Sequence, residues 1–167
     1  MITYTIIADL LTIIYMVIFI FYLIGWLKIP EFKTTEKVFS TKVCVVIPAR
    51  NEEENIAVVL NSLLQQNYSK DFFEIIIVDD FSEDKTASVV KDYLQSNIRL
   101  IEMKNFINDK LLSNKKKSIE TAIENTGAEL IVTTDADCLM NENWLSTLVE
   151  FYETTNCKMI VAPVLLN

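Results

Sequence analysis

Short apolar runs that alternate with helical patterns restrict the fold of this sequence more than any other feature. The runs lie at residues 43–47, 75–78, 98–101, 130–133 and 159–162, and they are β-branched or otherwise apolar. Near-continuous apolar runs of this kind are typical of strands that are buried on both faces. Because strands that alternate with helices form right-handed crossovers, the sequence predicts a parallel α/β sheet with helices on both faces.

The spacing of apolar residues also predicts where the helices lie. The first helix is indicated by apolar residues at i, i+3, i+4, i+7 and i+8, which are Ile56, Val59, Leu60, Leu63 and Leu64. Segments 119–123 and 145–152 begin the same spacing. We expect Asn51 to cap the first helix, with the three glutamates that follow it in the first turn, near the positive end of the helix dipole.

Polar clusters follow three of the predicted strands. They are residues 48–52 after the first strand, 79–80 after the second and 135–137 after the fourth. In parallel sheets, ligands bind at the carboxyl ends of the strands. The three clusters are therefore expected to meet at one edge of the sheet.

The N-terminal segment is predicted to be a transmembrane anchor over residues 1–28. Residues 10–27 contain no charge and are mostly large and apolar. As a helix they span roughly 27 Å, close to the hydrocarbon thickness of a bilayer. A cleaved signal peptide is the alternative, but no basic residue precedes the segment and Gly25-Trp26-Leu27 is a poor cleavage site.

Lysines flank this segment on its C-terminal side only. Lys28, Lys33 and Lys37 follow it, which by the positive-inside rule predicts a single-pass protein with its C-terminal part in the cytoplasm. Residues 29–41 are predicted to be a polar linker, and 42–167 the α/β domain.

Composition excludes several function classes. The chain has a net charge of −8, which disfavours nucleic-acid binding, since that depends on Lys and Arg at phosphates. It has no His, so Ser-His-Asp or Cys-His catalysis and His-ligated zinc are excluded within this chain. The three cysteines form no CxxC pair and are interpreted as reduced packing residues.

Asp135 and Asp137 are candidate ligands for Mg²⁺ or Mn²⁺. Two carboxylates one residue apart repel each other unless a cation lies between them, and these hard ions prefer oxygen ligands. The ion would stabilise a diphosphate as it leaves. In isolation, however, an Asp pair in a turn is more often solvated or capping.

The other polar clusters admit two interpretations each. Asp79 and Asp80 either form a turn and cap the next helix, or accept hydrogen bonds from a base or a ribose. Arg50 contacts a base or phosphate, or pairs with the following glutamates. Residues 115–117 are three lysines at a predicted helix start, where the dipole disfavours positive charge, so they indicate a nearby diphosphate or a solvated basic face.

Four segments together resemble glycosyltransferase family 2. They are 45–52 (VVIPARNE), 76–86 (IIVDDFSEDKT), 114–119 (NKKKSI) and the DxD segment 134–138 (TDADC). Their order and spacing make the resemblance specific from about residue 42 onward. It implies the GT-A fold, a Rossmann-like, mainly parallel sheet with flanking helices, here preceded by one transmembrane helix. It also implies an inverting transfer of a sugar from a nucleotide-diphosphate sugar to a polysaccharide or lipid acceptor.

The resemblance also implies roles for individual residues. The substrate-binding set would be Pro48, Ala49, Arg50, Glu52, Asp79, Asp80, Lys115 and Asp135. Within it, Asp79 would support the pocket for the base and ribose, and Lys115 would lie near the diphosphate. Asp137 would be the main metal ligand, with Asp135 contacting the ribose or the metal. The expected donor is a UDP-sugar, with a GDP-sugar as the alternative.

The sequence departs from the family pattern at three points. Phe81 stands where the family commonly has Gly or a small polar residue, and Asn114 replaces a usual Gly. The chain ends at Asn167, 30 residues after Asp137, with no Asp or Glu after Glu153. The catalytic general base is therefore expected beyond Asn167, and we expect this chain to be a donor-binding half with little or no turnover.

Two other functions compete with this one. In a phosphatase of the haloacid dehalogenase type, Asp135 would be a nucleophile and Asp137 an acid, but that fold places its DxD on the first strand. A membrane-tethered scaffold descended from a transferase would show no metal-dependent nucleotide binding.

Overall fold

The computed structural model describes residues 2–29, 32–35, 37–94, 97–107 and 113–162. Residues 30, 31 and 36 of the predicted linker lie outside the described part. The chain divides into two compact units, Met1–Thr34 and Thr35–Asn167. The elements in chain order are α1 (Ile2–Leu27), β1 (Val43–Ala49), α2 (Ile56–Leu64), β2 (Phe73–Asp79), α3 (Thr86–Asp92), β3 (Ile98–Glu102), a 3₁₀ turn (Met103–Asn105), α4 (Lys115–Glu124), β4 (Leu130–Thr133) and α5 (Trp144–Thr155).

The N-terminal unit is the single helix α1. Its Tyr4–Leu27 portion has a mean hydropathy of 2.5, and among the described residues it is the one helix long and apolar enough to cross a membrane. Its apolar side chains are exposed, including Leu11, Phe21 and Trp26. By length and composition, the helix is compatible with the predicted anchor.

The second unit contains a parallel sheet with strand order β3-β2-β1-β4. Along the central pair, Val43 lies opposite Phe73 and Ala49 opposite Asp79. On the other side of β1, Val46 lies opposite Thr133 at the end of β4. The carboxyl ends of β1, β2 and β4 are therefore neighbours, which confirms the predicted α/β architecture and brings the polar clusters to one edge.

Alternate residues of the two central strands bury their side chains on opposite faces, as the period of a strand requires. Val45 and Ile77 belong to the cluster that packs against α2 and α5. Cys44 and Ile76 belong to the cluster that contains Ala122 of α4. Burial raises the pKa of the Cys44 thiol to about 11, so this cysteine is protonated at neutral pH, as expected of a packing residue.

The segment before β1 is hydrogen-bonded to α5. Both the backbone N–H and the hydroxyl of Thr35 donate to Glu150 Oε1, at 2.6 and 2.5 Å. The Thr41 hydroxyl donates to Glu153 Oε1. Glu150 is buried, so the two bonds from Thr35 satisfy a carboxylate that would be costly to leave unpaired.

Two local predictions are wrong. Residues 159–162 form no strand, and Met159 and Val161 are 79% and 80% exposed. A strand is stable only when it is paired, and this segment pairs with no strand among the described residues. The helix that Asn51 was expected to cap is α2, and it begins at Ile56 with Asn55 at its N-cap. Asn51 instead has a left-handed backbone with φ of 57°.

Candidate functional site

An open cleft of about 300 Å³ lies at the carboxyl edge of the sheet. It is lined by Pro48, Ala49, Arg50, Glu52, Asp80, Lys115, Asp135, Ala136 and Asp137. Every site residue predicted from the sequence is in this set except Asp79. The strand ends supply most of these residues and the start of α4 supplies Lys115, so the convergence follows from the sheet topology.

Asp80 is held firmly at one side of the cleft. It is 7% exposed, and its backbone N–H donates to the carbonyl of Ala49 at 2.9 Å. The Ser113 hydroxyl donates to Asp80 Oδ1, and Arg50 Nη1 lies 4.0 Å from Asp80 Oδ2. A fixed carboxylate beside a guanidinium can accept from one N–H or O–H group of a ligand while Arg50 donates to another.

Asp79 is buried and does not line the cleft. It is 3% exposed, and its Oδ1 has no hydrogen-bond partner among the described residues. The pKa of Lys104 is raised, mainly by its ion pair with Glu102 and to a smaller extent by the charge of Asp79. Its burial next to Asp80 is compatible with the supporting role predicted for Asp79.

The loops after β1 and β2 are hydrogen-bonded to each other. Asn51 N–H donates to Ser82 Oγ at 3.0 Å, and Glu83 N–H donates to Asn51 Oδ1 at 2.8 Å. Glu52 N–H donates to Thr86 Oγ1 at 2.8 Å. These bonds explain why the helix does not start at Asn51: its expected first-turn amides have partners on the neighbouring loop.

Phe81 has a positive φ of 56° at the end of β2. This left-handed region favours Gly, which explains why a Gly is common at this position in the family that the sequence resembles. The aromatic ring packs against the cluster that contains Val78 and Met103. Burial of the ring offsets the backbone strain, which for a non-Gly residue is about 1–2 kcal/mol.

Asp135 and Asp137 lie on the opposite side of the cleft, after β4. One carboxylate oxygen of each and the Sγ of Cys138 lie within 4.8 Å of one another. Ala136 between them is buried in the core, whereas both flanking aspartates are exposed. The two carboxylates fit a hard divalent cation such as Mg²⁺ or Mn²⁺. Cys138 was not among the site residues predicted from the sequence, although it directly follows the DxD segment.

Lys115 begins α4 and forms an ion pair with Asp135 Oδ1. Asn114 caps this helix, since its Oδ1 accepts from Lys117 N–H at 3.0 Å. Because Asn is a favourable N-cap residue, Asn114 can occupy a position where the family usually has Gly. Of the neighbouring lysines, Lys117 pairs with Glu120 at 2.8 Å, outside the cleft lining.

The matching family model decides the classification. Residues 44–166 match the model of glycosyl transferase family 2. The chain belongs to glycosyltransferase family 2. The matched region contains every residue that lines the cleft, so the cleft is part of the family 2 domain.

Curated relatives in this family are longer than the chain. Glycosyltransferase AglE of Haloferax volcanii is 28% identical over 123 residues, which are 71% of this chain and 38% of that protein. The poly(ribitol-phosphate) beta-N-acetylglucosaminyltransferase TarS of Staphylococcus aureus is 27% identical over 113 residues, 67% of this chain and 19% of that protein. The present chain thus spans less than two-fifths of the length of these relatives.

Solved structures confirm the predicted GT-A fold. The mannosyltransferase PcManGT of Pyrobaculum calidifontis, in complex with GDP-Man and Mn²⁺, has a TM-score of 0.68 and 26% identity, covering 81% of this chain and 39% of that one. TarS in complex with UDP-GlcNAc has a TM-score of 0.59 and 28% identity, covering 70% of this chain and 32% of that one.

Proposed function

We propose that this chain is the nucleotide-sugar-binding part of a membrane-anchored, metal-dependent, inverting glycosyltransferase. The observation that carries the proposal is the convergence of Arg50, Asp80, Lys115, Asp135 and Asp137 on one cleft at the carboxyl edge of the sheet. A nucleoside diphosphate presents hydrogen-bonding base and ribose groups at one end and negative charge at the other. The cleft provides a buried carboxylate on one side, and an ammonium group and two metal-binding carboxylates on the other.

The roles divide along the cleft. Pro48, Ala49, Arg50, Glu52 and Asp80 would contact the base and ribose, with Asp79 supporting this pocket. Asp80 is suited to accept from a ligand N–H or O–H because the Ser113 hydroxyl and the backbone hold its carboxylate in place.

The diphosphate end is assigned to the other side of the cleft. Lys115 would donate to the phosphate oxygens. Asp137, together with Asp135, would hold the divalent ion. When bound, that ion would supply positive charge to the diphosphate as the bond to the sugar breaks. The two aspartates are exposed, so phosphate oxygens can complete the coordination of an ion that they hold.

A UDP-sugar is the proposed donor, and a GDP-sugar is the alternative. TarS binds UDP-GlcNAc and PcManGT binds GDP-Man, so both base types occur among proteins of this fold. The proposed acceptor is a saccharide or a lipid. TarS transfers N-acetylglucosamine to poly(ribitol-phosphate).

The proposed arrangement in the membrane has residues 1–28 as the anchor, 29–41 as a linker and 42–167 in the cytoplasm. It is supported by the length and hydropathy of α1 and by Lys28, Lys33 and Lys37 after it. Protease added to sealed right-side-out vesicles that carry the full chain should leave residues 42–167 intact. Its digestion without detergent would contradict the cytoplasmic location.

Calorimetry on the full chain in detergent micelles tests the donor site. UDP and GDP are titrated with and without Mn²⁺ into the wild type, Asp137→Ala and the control Asp92→Ala, which removes an exposed carboxylate at the end of α3. We expect Mn²⁺-dependent binding that Asp137→Ala abolishes and Asp92→Ala preserves. Metal-independent binding would refute the metal role, and no binding by a folded sample would favour a scaffold function.

A further inference from the structure

The Lys115–Asp135 ion pair joins two groups that the proposed function assigns to different ligands. Lys115 is assigned to the diphosphate and Asp135 to the divalent ion, yet Lys115 Nζ contacts Asp135 Oδ1 directly. Each of these groups can therefore satisfy the other's charge. A metal ion that uses Asp135 Oδ1 competes with Lys115 for that oxygen.

The pair is built so that it can open. The side chain of Lys115 is 60% exposed and that of Asp135 is 56% exposed. An exposed ion pair is worth no more than about 1 kcal/mol in water. By contrast, Asp80 on the other side of the cleft is buried, with a hydroxyl donor to its carboxylate. Exchange of partners therefore requires little free energy at Asp135 and more at Asp80.

The position of Lys115 at the start of α4 favours an anion beside its ammonium group, so loss of Asp135 as a partner favours another anion in its place. Lys115 is the first residue of the 10-residue helix α4, where the dipole disfavours positive charge. A carboxylate or phosphate beside the ammonium offsets that repulsion. When a metal ion takes Asp135, a diphosphate is the ligand in the cleft that can take over the pairing with Lys115.

We infer that Lys115 is an internal competitor for the metal site, and that its transfer from Asp135 to the donor diphosphate couples metal binding to nucleotide binding. The inference rests on the proposed function and adds a second task to Lys115. Without nucleotide, Lys115 lowers the affinity of Asp135 and Asp137 for the ion. With nucleotide, the ammonium is engaged elsewhere and the competition disappears.

Thermodynamic linkage between Mn²⁺ binding and UDP binding makes this exchange measurable. The factor by which UDP strengthens Mn²⁺ binding must equal the factor by which Mn²⁺ strengthens UDP binding. Part of that factor is the direct contact between the metal and the diphosphate. The remainder is the relief of competition from Lys115, and a variant without the lysine loses only this remainder.

Lys116 offers a matched control. It carries the same charge in the same first turn and is exposed, but it is not among the residues that line the cleft. Lys116→Ala therefore reports the general effect of removing one positive charge near the site. Lys115→Ala reports that effect together with the loss of the ion pair.

The experiment measures free Mn²⁺ by electron paramagnetic resonance over the full chain in detergent micelles, with and without UDP. Binding that persists in Asp137→Ala is subtracted as background. We expect Lys115→Ala to bind Mn²⁺ about two- to fivefold more tightly than the wild type without UDP. Lys116→Ala should change this affinity by less than about twofold. The enhancement by UDP should fall in Lys115→Ala by the same factor that its basal affinity rises.

The outcomes separate this inference from the proposed function. Weaker or unchanged Mn²⁺ binding in Lys115→Ala, or an equal gain in both lysine variants, overturns the competition but leaves the donor site intact. No Asp137-dependent Mn²⁺ binding in the wild type overturns the metal role and the competition together. Lys115→Gln, which removes the charge but keeps the apolar stem of the side chain, is measured in parallel and should reproduce the tighter Mn²⁺ binding; a gain in Lys115→Ala alone would overturn the competition.

Discussion

The two sides of the cleft are built in different ways. On the Asp80 side, two loops are hydrogen-bonded to each other and the Asp80 side chain is only 10% exposed. On the Asp135 side, the Asp135 side chain is 56% exposed and pairs with Lys115, whose side chain is 60% exposed. Both sides carry carboxylates at strand ends, so residue type alone does not distinguish them.

The difference indicates which contacts are made before a ligand arrives. A buried and hydrogen-bonded carboxylate presents one geometry, which suits recognition of a base or ribose by direction. An exposed carboxylate with an exchangeable partner suits a metal ion and a diphosphate, which bring their own charge and coordination. Substitutions on the Asp80 side should therefore affect both folding and binding, whereas those on the Asp135 side should affect binding alone.

The largest effect is expected for Asp80→Ala. It leaves the Ser113 hydroxyl, in a residue 9% exposed, without its acceptor, which should lower the free energy of unfolding by about 1–3 kcal/mol. Affinity for UDP should fall about tenfold or more, since a hydrogen bond to a charged group is lost. Asp135→Ala is the matched variant and should change stability by less than about 0.5 kcal/mol. Equal loss of stability in both, measured by chemical denaturation, would contradict the comparison.

Thr86→Val should have the next largest effect. Thr86 is fully buried, and its Oγ1 accepts from Glu52 N–H at 2.8 Å and donates to Asp84. Valine keeps the shape but leaves the amide of Glu52 without its acceptor, so we expect a loss of about 1–3 kcal/mol. Thermal denaturation alongside Thr133→Val, an exposed threonine at the end of β4, provides the control. A stability loss as large in Thr133→Val would show that the Glu52 amide is not the cause.

A smaller effect is expected at Asn51, and two substitutions separate its causes. Asn51→Gly removes the acceptor of Glu83 N–H but tolerates the positive φ of 57°. Asn51→Ala removes the same acceptor and adds backbone strain, so it should be less stable than the Gly variant by about 1 kcal/mol. Denaturant titration of both variants measures the difference. Equal stabilities would mean that the loop relaxes out of the left-handed conformation.

The features that the sequence predicted correctly depend on local patterns and one topological rule. Four of the predicted apolar runs form strands, because their period and length are properties of each segment alone. The meeting of residues 48–52, 80 and 135–137 follows from the rule that parallel strands end at the same edge. Lys115 at the start of a helix was also predicted, and the structure adds that Asn114 caps this helix.

The features that it missed depend on partners distant in the chain. The helix start at Asn51 was wrong because the amide of Glu52 donates to Thr86, at the start of α3, and that of Glu53 donates to Asp84, on the loop before α3. Ser113 as the partner of Asp80 lies 33 residues away, with no local signal to connect them. The run at 159–162 has strand-forming residues, but pairing depends on a neighbouring strand and not on the segment itself.

The smallest predicted effect concerns pH and the Asp84 carboxylate that joins the two loops. Desolvation opposes ionisation of Asp84, but hydrogen bonds from the Thr86 hydroxyl and from the amides of Thr86 and Glu53 outweigh it and hold the pKa of Asp84 below its usual value of 3.8. Because the pKa is lower in the folded state, the ionised group stabilises the fold above pH 3.8, and this contribution is lost as pH falls through the folded pKa. Asp84→Asn should therefore melt below the wild type at neutral pH and approach it under acid conditions.

Asp71→Asn, an exposed aspartate before β2, is the control. If the difference in melting temperature between Asp84→Asn and the wild type stays constant as the pH is lowered, the loops do not depend on this charge. The Asp80 side would then be less preorganised than its hydrogen bonds indicate.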